Sequence, residues 1–160
     1  MSGISRDTRR CALQALYQFD AGSDSDNNLV RATLAESRTS EKAQVEGFKL
    51  AQQAWEHREE ADQVVEPLAP GGPTHRQPMV DRNILRLAVY EIRHAETPGK
   101  AAINGAVELA KEFGGEKSFG FVNAILDKIW KAGPDDQPDV EPDAEPATQP
   151  EIQEEASNEE

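Results

Sequence analysis

The chain has 160 residues, with 17 Lys and Arg against 30 Asp and Glu and a formal charge of −13; this is enough for one domain with an appendage and too little for two substantial domains. Its one cysteine, Cys11, excludes an intramolecular disulfide and a multi-cysteine zinc site. No apolar run approaches the roughly 18 residues of a membrane span and the N-terminus does not read as a signal peptide, so the expectation is a soluble cytoplasmic protein without a membrane partner.

In chain order, the segment from Ser5 to Phe19 is rich in Ala, Leu, Arg and Gln and predicts a first helix. On a wheel of about 100° per residue, Ala12, Ala15, Leu16 and Phe19 form its core stripe. Arg6, Arg9, Arg10, Leu13 and Tyr17 form a second stripe beside it. Gly22 and the polar run Asp24-Ser25-Asp26-Asn27-Asn28 predict a turn, and a short helix follows over 28–36. Ser40 is placed to cap a long helix reaching Glu66, with Phe48, Ala51 and Trp55 on one face and Pro67 as its stop. Residues 69–78 read as a loop. Pro78 then leads into a helix on which Ile84, Leu85, Ala88 and Ile92 recur at helical spacing. Thr97-Pro98-Gly99 breaks the chain, and the next helix carries Ile103, Ala106, Val107 and Ala110 on one stripe before Gly114-Gly115 stops it. Ser118 is the predicted N-cap of the last helix, with Val122, Ile125, Leu126 and Ile129 as its core stripe. Strand-like alternation is absent, so the predicted class is an all-α bundle of about six or seven helices spanning 1–133.

Residues 134–160 differ in kind. They hold 11 of the acidic residues and no Lys or Arg, which leaves 19 acidic against 17 basic residues, a charge of −2, for the first 133. Pro134, Pro138, Pro142, Pro146 and Pro150 recur at every fourth position, which forbids a regular helix, and the acidic, aromatic-free composition cannot bury a core. The expectation is a disordered acidic tail. A purely solubilising tail accounts for this composition.

Enzymatic chemistry finds no support. The glycine spacing of Gly115–Gly120 resembles a phosphate loop, but Phe121-Val122 stands where Lys-Ser/Thr is needed. Asp24, Asp26 and Asn28 begin like a calcium loop, but Leu29 replaces the turn glycine and Ala35 the bidentate Glu. His57, His75 and His94 form no paired zinc motif and read as ordinary surface or loop histidines, and Cys11 reads as a buried small residue. The prediction is a non-enzyme without metal or cofactor.

Two faces remain. The stripe of Arg6, Arg9, Arg10 and Tyr17 suits RNA, because guanidinium forks bond phosphates and base edges while a tyrosine ring stacks on an unpaired base. A merely solvated basic helix end fits the same residues. In the last helix, Phe121 falls at the edge of the core stripe, aligned with Lys117, Ala124 and Lys128, whereas Phe119 and Trp130 read as packing residues. A helix start at Ser118 offers free N–H groups to an anion.

Three segments, RRCALQALYQFD (9–20), VDRNILRLAVYEI (80–92) and AINGAVELAKEFGGEKSFGFVNAILDKI (102–129), resemble in order and spacing the signature segments of the transcription antitermination factor family NusB. The resemblance implies two packed three-helix bundles and a non-enzymatic role: binding boxA RNA of nascent ribosomal RNA transcripts together with the ribosomal protein NusE. It further implies assembly with NusA, NusG and RNA polymerase, and a monomer or a homodimer. Carried onto this chain, the resemblance assigns RNA binding to Arg6, Arg9, Arg10 and Tyr17, with Lys117, Ser118, Phe121, Asn123 and Lys128 as the neighbouring surface. It assigns partner binding to Asp81 and Arg82, with Tyr17 and Phe121. The alternative is a helical adaptor for the ribosomal partner with incidental RNA contact. Gly105 departs from the family pattern, which usually has Glu there, and a glycine inside a helix costs about 1 kcal/mol relative to alanine. The loop 71–77 lacks the bulky apolar residues common among relatives, and the acidic tail has no counterpart in the family core.

Overall fold

The computed structural model describes residues 3–23 and 26–132. The acidic segment 134–160 and the Asp24-Ser25 part of the first turn lie outside the described residues. Among the described residues there are seven α-helices and no strand: α1 (Arg6–Gln18), α2 (Asn27–Ala35), α3 (Glu41–Glu56), α4 (Arg58–Val65), α5 (Met79–His94), α6 (Gly99–Phe113) and α7 (Ser118–Ala132). No helix among them is long and apolar enough to cross a membrane.

Side-chain caps set the early boundaries. The Ser5, Asp26 and Ser40 oxygens accept from the N–H groups of Thr8, Leu29 and Ala43, satisfying donors that a helix start leaves unpaired. A wide turn over Phe19–Ser23, with Gly22 at φ 113°, carries the chain from α1 toward α2. The single helix expected over 41–66 is two. His57, at φ −102° and ψ 16°, ends α3 and starts α4, and its Nδ1 lies 2.8 Å from the Gln53 carbonyl. Helical periodicity passes through this break unaltered, so the sequence pattern does not reveal it. Pro67 sits in a short 3-10 turn over Glu66–Leu68.

The chain packs as two groups, α1–α2–α3 and α5–α6–α7, joined where α1 and α3 meet α5, with α4 lying on α5. The α1–α3 packing is the most extensive in the molecule. It is close because Gly47 lies at the crossing: a Cβ there would stand 2.5 Å from Cys11 Cβ and 2.8 Å from the Thr8 carbonyl oxygen. The expected core stripes are buried, including Ala12, Leu16, Ile84, Leu85, Ala106, Val122 and Leu126, with Trp55 and Val107 only partly covered at their edges, and Cys11 is buried among them. Phe19 meets Phe48 edge-on at 6.1 Å and Trp55 at 5.9 Å, so three aromatic rings fill the space between the first turn and α3.

Polar braces cross this apolar interior. The Arg9 guanidinium donates through Nε and Nη2 to both Glu91 oxygens at 2.9 and 2.8 Å, tying α1 to α5. Asp20 accepts from Arg82 at 2.7 and 3.0 Å, from Asn83 at 2.8 Å and from Arg86 at 3.1 Å. Arg86 also donates to Asp62 of α4 at 3.0 and 2.9 Å. Burial pushes the Asp20 carboxyl upward, but hydrogen bonds from Arg82 and Asn83 and the charges of Arg86 and Arg82 prevail, holding it below the ordinary aspartate value.

Candidate nucleic-acid interface

The structure divides the predicted arginine stripe. Arg9 is only 8% exposed and its partner Glu91 only 1%. Its fork is therefore closed on Glu91 inside the fold and is not on the surface where the wheel places it. The wheel places Arg9 beside Arg6 and Arg10, but α6 covers it. Gly105 explains how: a Cβ at that position would fall 2.6 Å from Arg9 Cζ and Nε. What reads in the sequence as a weak point of α6 is the gap through which the Arg9 guanidinium passes to Glu91.

Arg6 and Arg10 stay at the surface, on the seam between α1 and α6. Arg6 lies 3.5 Å from Glu108, and Arg10 donates to Glu112 at 2.9 Å and to Asp7 at 3.0 Å. The Glu112 hydrogen bond, aided by the Glu112 charge and by Asp7, raises the Arg10 pKa above its ordinary value against the opposing effect of burial. Exposed pairs of this kind gain little, because water and salt compete for both partners, so a phosphate can replace either carboxylate.

Beyond Arg10 on the same helix, Tyr17 is 43% exposed, and Phe113 at the end of α6 is 45% exposed. Together with Arg10, Leu13, Gln14, Arg38 and Val80, these rings line an open groove of about 530 Å³ between α1, the α2–α3 connection and the ends of α5 and α6. Its two exposed aromatic faces are stacking platforms, and its walls carry Arg10 and Arg38 beside the carboxylates of Asp7 and Glu112. The sequence singled out Tyr17 but missed Phe113 and Arg38. Phe113 directly precedes the Gly114-Gly115 break, and an aromatic at a helix end is as readily core as surface; only the packing decides.

The α6–α7 turn departs from expectation in two places. Phe119, read as a packing residue, is 46% exposed, with Lys111 Nζ 5.5 Å above its ring. Ser118 does not open its helix to an anion: it is buried, its hydroxyl accepts from Gly115 N–H at 2.8 Å and donates to Asp81 Oδ1 at 2.7 Å. The same bond holds Asp81, the residue expected at a partner contact, in a buried position. Arg82 likewise faces inward, with its fork on Asp20 and a side chain 16% exposed. Lys117, Asn123 and Lys128 are exposed, and Phe121 is half-buried against the core. They lie on or beside α7, which packs chiefly on α6 and α5, and none of them lines the groove.

Comparison with known proteins gives this geometry a setting. The model of the NusB family matches residues 6–131. The curated relative from Roseiflexus sp. (strain RS-1), a transcription antitermination protein NusB, is 38% identical over 132 residues, covering 81% of this chain and 93% of that protein. The one from Symbiobacterium thermophilum, with the same name, is 42% identical over 133 residues, covering 78% and 87%. Among solved structures, T. maritima NusB superposes with a TM-score of 0.68 at 30% identity, covering 81% of this chain and 92% of that one. A structure of the antitermination factors NusB and NusE in complex with dsRNA gives 0.68 at 30% identity, covering 79% and 96%.

Proposed function

The chain belongs to the NusB family, and we propose that it acts in transcription antitermination by binding boxA RNA of nascent ribosomal RNA transcripts together with NusE. In this reading the pair then joins NusA, NusG and RNA polymerase. The observation that carries the proposal is the groove in which Arg10, Tyr17, Phe113 and Arg38 converge, flanked by Arg6 on the α1–α6 seam. Phosphates would exchange with Glu108 and Glu112 for Arg6 and Arg10, and an unpaired base would stack on Tyr17 or Phe113. Lys117, Asn123 and Lys128 would extend the footprint along α7, with Phe121 at its inner edge. Because the patch holds only a few cations, binding by this chain alone should be weak. A second protein that adds surface to the same RNA strengthens it through linkage, without a change of conformation.

A helical adaptor that holds NusE with incidental RNA contact would use the same exposed rings for protein instead. Fluorescence anisotropy of boxA RNA against a scrambled sequence, with and without NusE, separates the two readings. Preference for boxA that sharpens with NusE supports the RNA reader; equal, feeble binding of both RNAs in the presence of NusE removes it and leaves the adaptor.

A further inference from the structure

Away from the groove, at the bend between α3 and α4, the fold assembles three side chains that the sequence scatters. His57 is the hinge residue, Glu60 lies in the first turn of α4, and His94 is the last residue of α5. One ligand atom from each lies within 4.8 Å of the other two. The two imidazoles stack with centroids 4.3 Å apart, and Tyr90 backs both rings at 5.2 and 5.5 Å. His94 Nε2 lies 2.8 Å from Glu60 Oε1. The His57 ring is oriented by the Gln53 carbonyl, 2.8 Å from Nδ1. A carbonyl only accepts, so Nδ1 carries a proton, and in the neutral ring this leaves the Nε2 lone pair for a ligand. That is the arrangement by which an outer-shell carbonyl prepares a histidine to ligate a metal.

We propose that His57, Glu60 and His94 form a site for a transition-metal dication, with Zn²⁺ as the fitting ion. Two imidazoles and one carboxylate are a donor set for Zn²⁺, Co²⁺ or Ni²⁺ rather than for Mg²⁺ or Ca²⁺, which take oxygen ligands. Three protein ligands leave a fourth tetrahedral position for water. The ion would enter where His94 Nε2–H now bonds Glu60; Nε2 gives up that proton to water and the neutral ring carries its remaining proton on Nδ1. Arg93, whose Nη1 is 3.4 Å from the second Glu60 oxygen, opposes the ion by charge but holds the carboxylate in place. Since His57 and Glu60 belong to the α3–α4 bend and His94 to α5, the bound ion would pin α4 onto the end of α5.

The test uses the full chain, stripped with a chelator and titrated with Zn²⁺ against a chromophoric zinc indicator; Co²⁺ absorption reports the ligand set. The expected result is one tight equivalent of Zn²⁺ and a tetrahedral Co²⁺ spectrum. His94→Ala and Glu60→Gln should each weaken Zn²⁺ about tenfold or more, the scale lost when even the outer shell of a metal site is disturbed. His75→Ala, in the loop before α5, should change nothing. His94 is exposed, so its truncation leaves the fold intact, which circular dichroism checks. Absence of a tight equivalent in the folded wild-type protein overturns the proposal. So does a tight equivalent that persists unchanged in His94→Ala and Glu60→Gln, since that would place the ion on other groups such as the carboxylates of 134–160.

Discussion

Arg9 and Arg10 are neighbours in sequence, carry the same charge and both meet a glutamate, yet they do opposite work. Arg9 closes on Glu91 in the interior, where each partner exists only because the other is there. Arg10 meets Glu112 at the surface, where water substitutes for either. An arginine is thus a buried brace or an open surface charge according to which helix covers it, and α6 covers Arg9 while leaving Arg10 at its edge. The same contrast separates Arg82 and Arg86, anchored on Asp20, from Arg6, loosely held by Glu108.

Breaking the buried side of this contrast has the largest effect. Arg9→Met strands the Glu91 carboxylate in the core and should cost roughly 3–5 kcal/mol in urea unfolding, the scale of removing one partner of a buried pair. The double variant Arg9→Met, Glu91→Leu should recover much of that loss, because the stranded charge goes with it. A single variant as stable as wild type would mean that the pair is not a brace. Gly105→Ala comes next. In an open helix this change is favourable, but here the new methyl meets the Arg9 guanidinium, so we expect a loss of about 1–3 kcal/mol, as for overpacking. Gly105→Ala in the Arg9→Met background should lose much of its penalty, and persistence of the full cost would refute the coupling.

Asp20 places the contrast on a pH axis. Its folded-state pKa lies below the unfolded value of 3.8. The folded form therefore binds fewer protons there, and the stabilisation is fully present above about pH 4 and lost as pH falls through the folded value. Thermal midpoints from pH 7 to 2 should drop steeply below about pH 4 in the wild type. Asp20→Asn should begin lower at pH 7 and show a shallower acid slope. Parallel curves for the two proteins would remove Asp20 as the acid-sensitive group.

The helices are largely legible in the sequence because each writes its buried stripe at helical spacing and most carry a cap or a breaker at their ends. The α3–α4 bend is not, since a one-residue hinge at His57 leaves the spacing of Phe48, Ala51 and Val65 helical on either side. The candidate surface is legible only in part. Arg6, Arg10 and Tyr17 emerge from the wheel, but Arg9 does too, because a wheel knows only its own helix and not the gap that Gly105 leaves in another. Asp81, Arg82 and Ser118 illustrate the same limit: polar residues in resembling segments read as ligand contacts until the fold shows them bonded to Asp20 and to one another. Phe119 goes the other way, from expected packing to solvent.

The smallest stability effects, on the exposed side, are the ones that decide function. Arg6→Ala with Arg10→Ala should leave the unfolding midpoint where it is, because the pairs removed are open to water. RNA affinity should nevertheless fall, and the log–log salt slope should become shallower by about 1.4, roughly 0.7 for each phosphate of a single strand that no longer meets a cation. Glu108→Gln with Glu112→Gln sharpens the point from the other side. It frees the same two guanidiniums from their present partners and removes two carboxylates that repel the RNA, so affinity should rise at low salt. The two double variants therefore move binding in opposite directions at constant stability. If both left anisotropy titrations unchanged, the α1–α6 seam would carry surface charge without a ligand, and RNA contact would have to be sought at Lys117, Asn123 and Lys128.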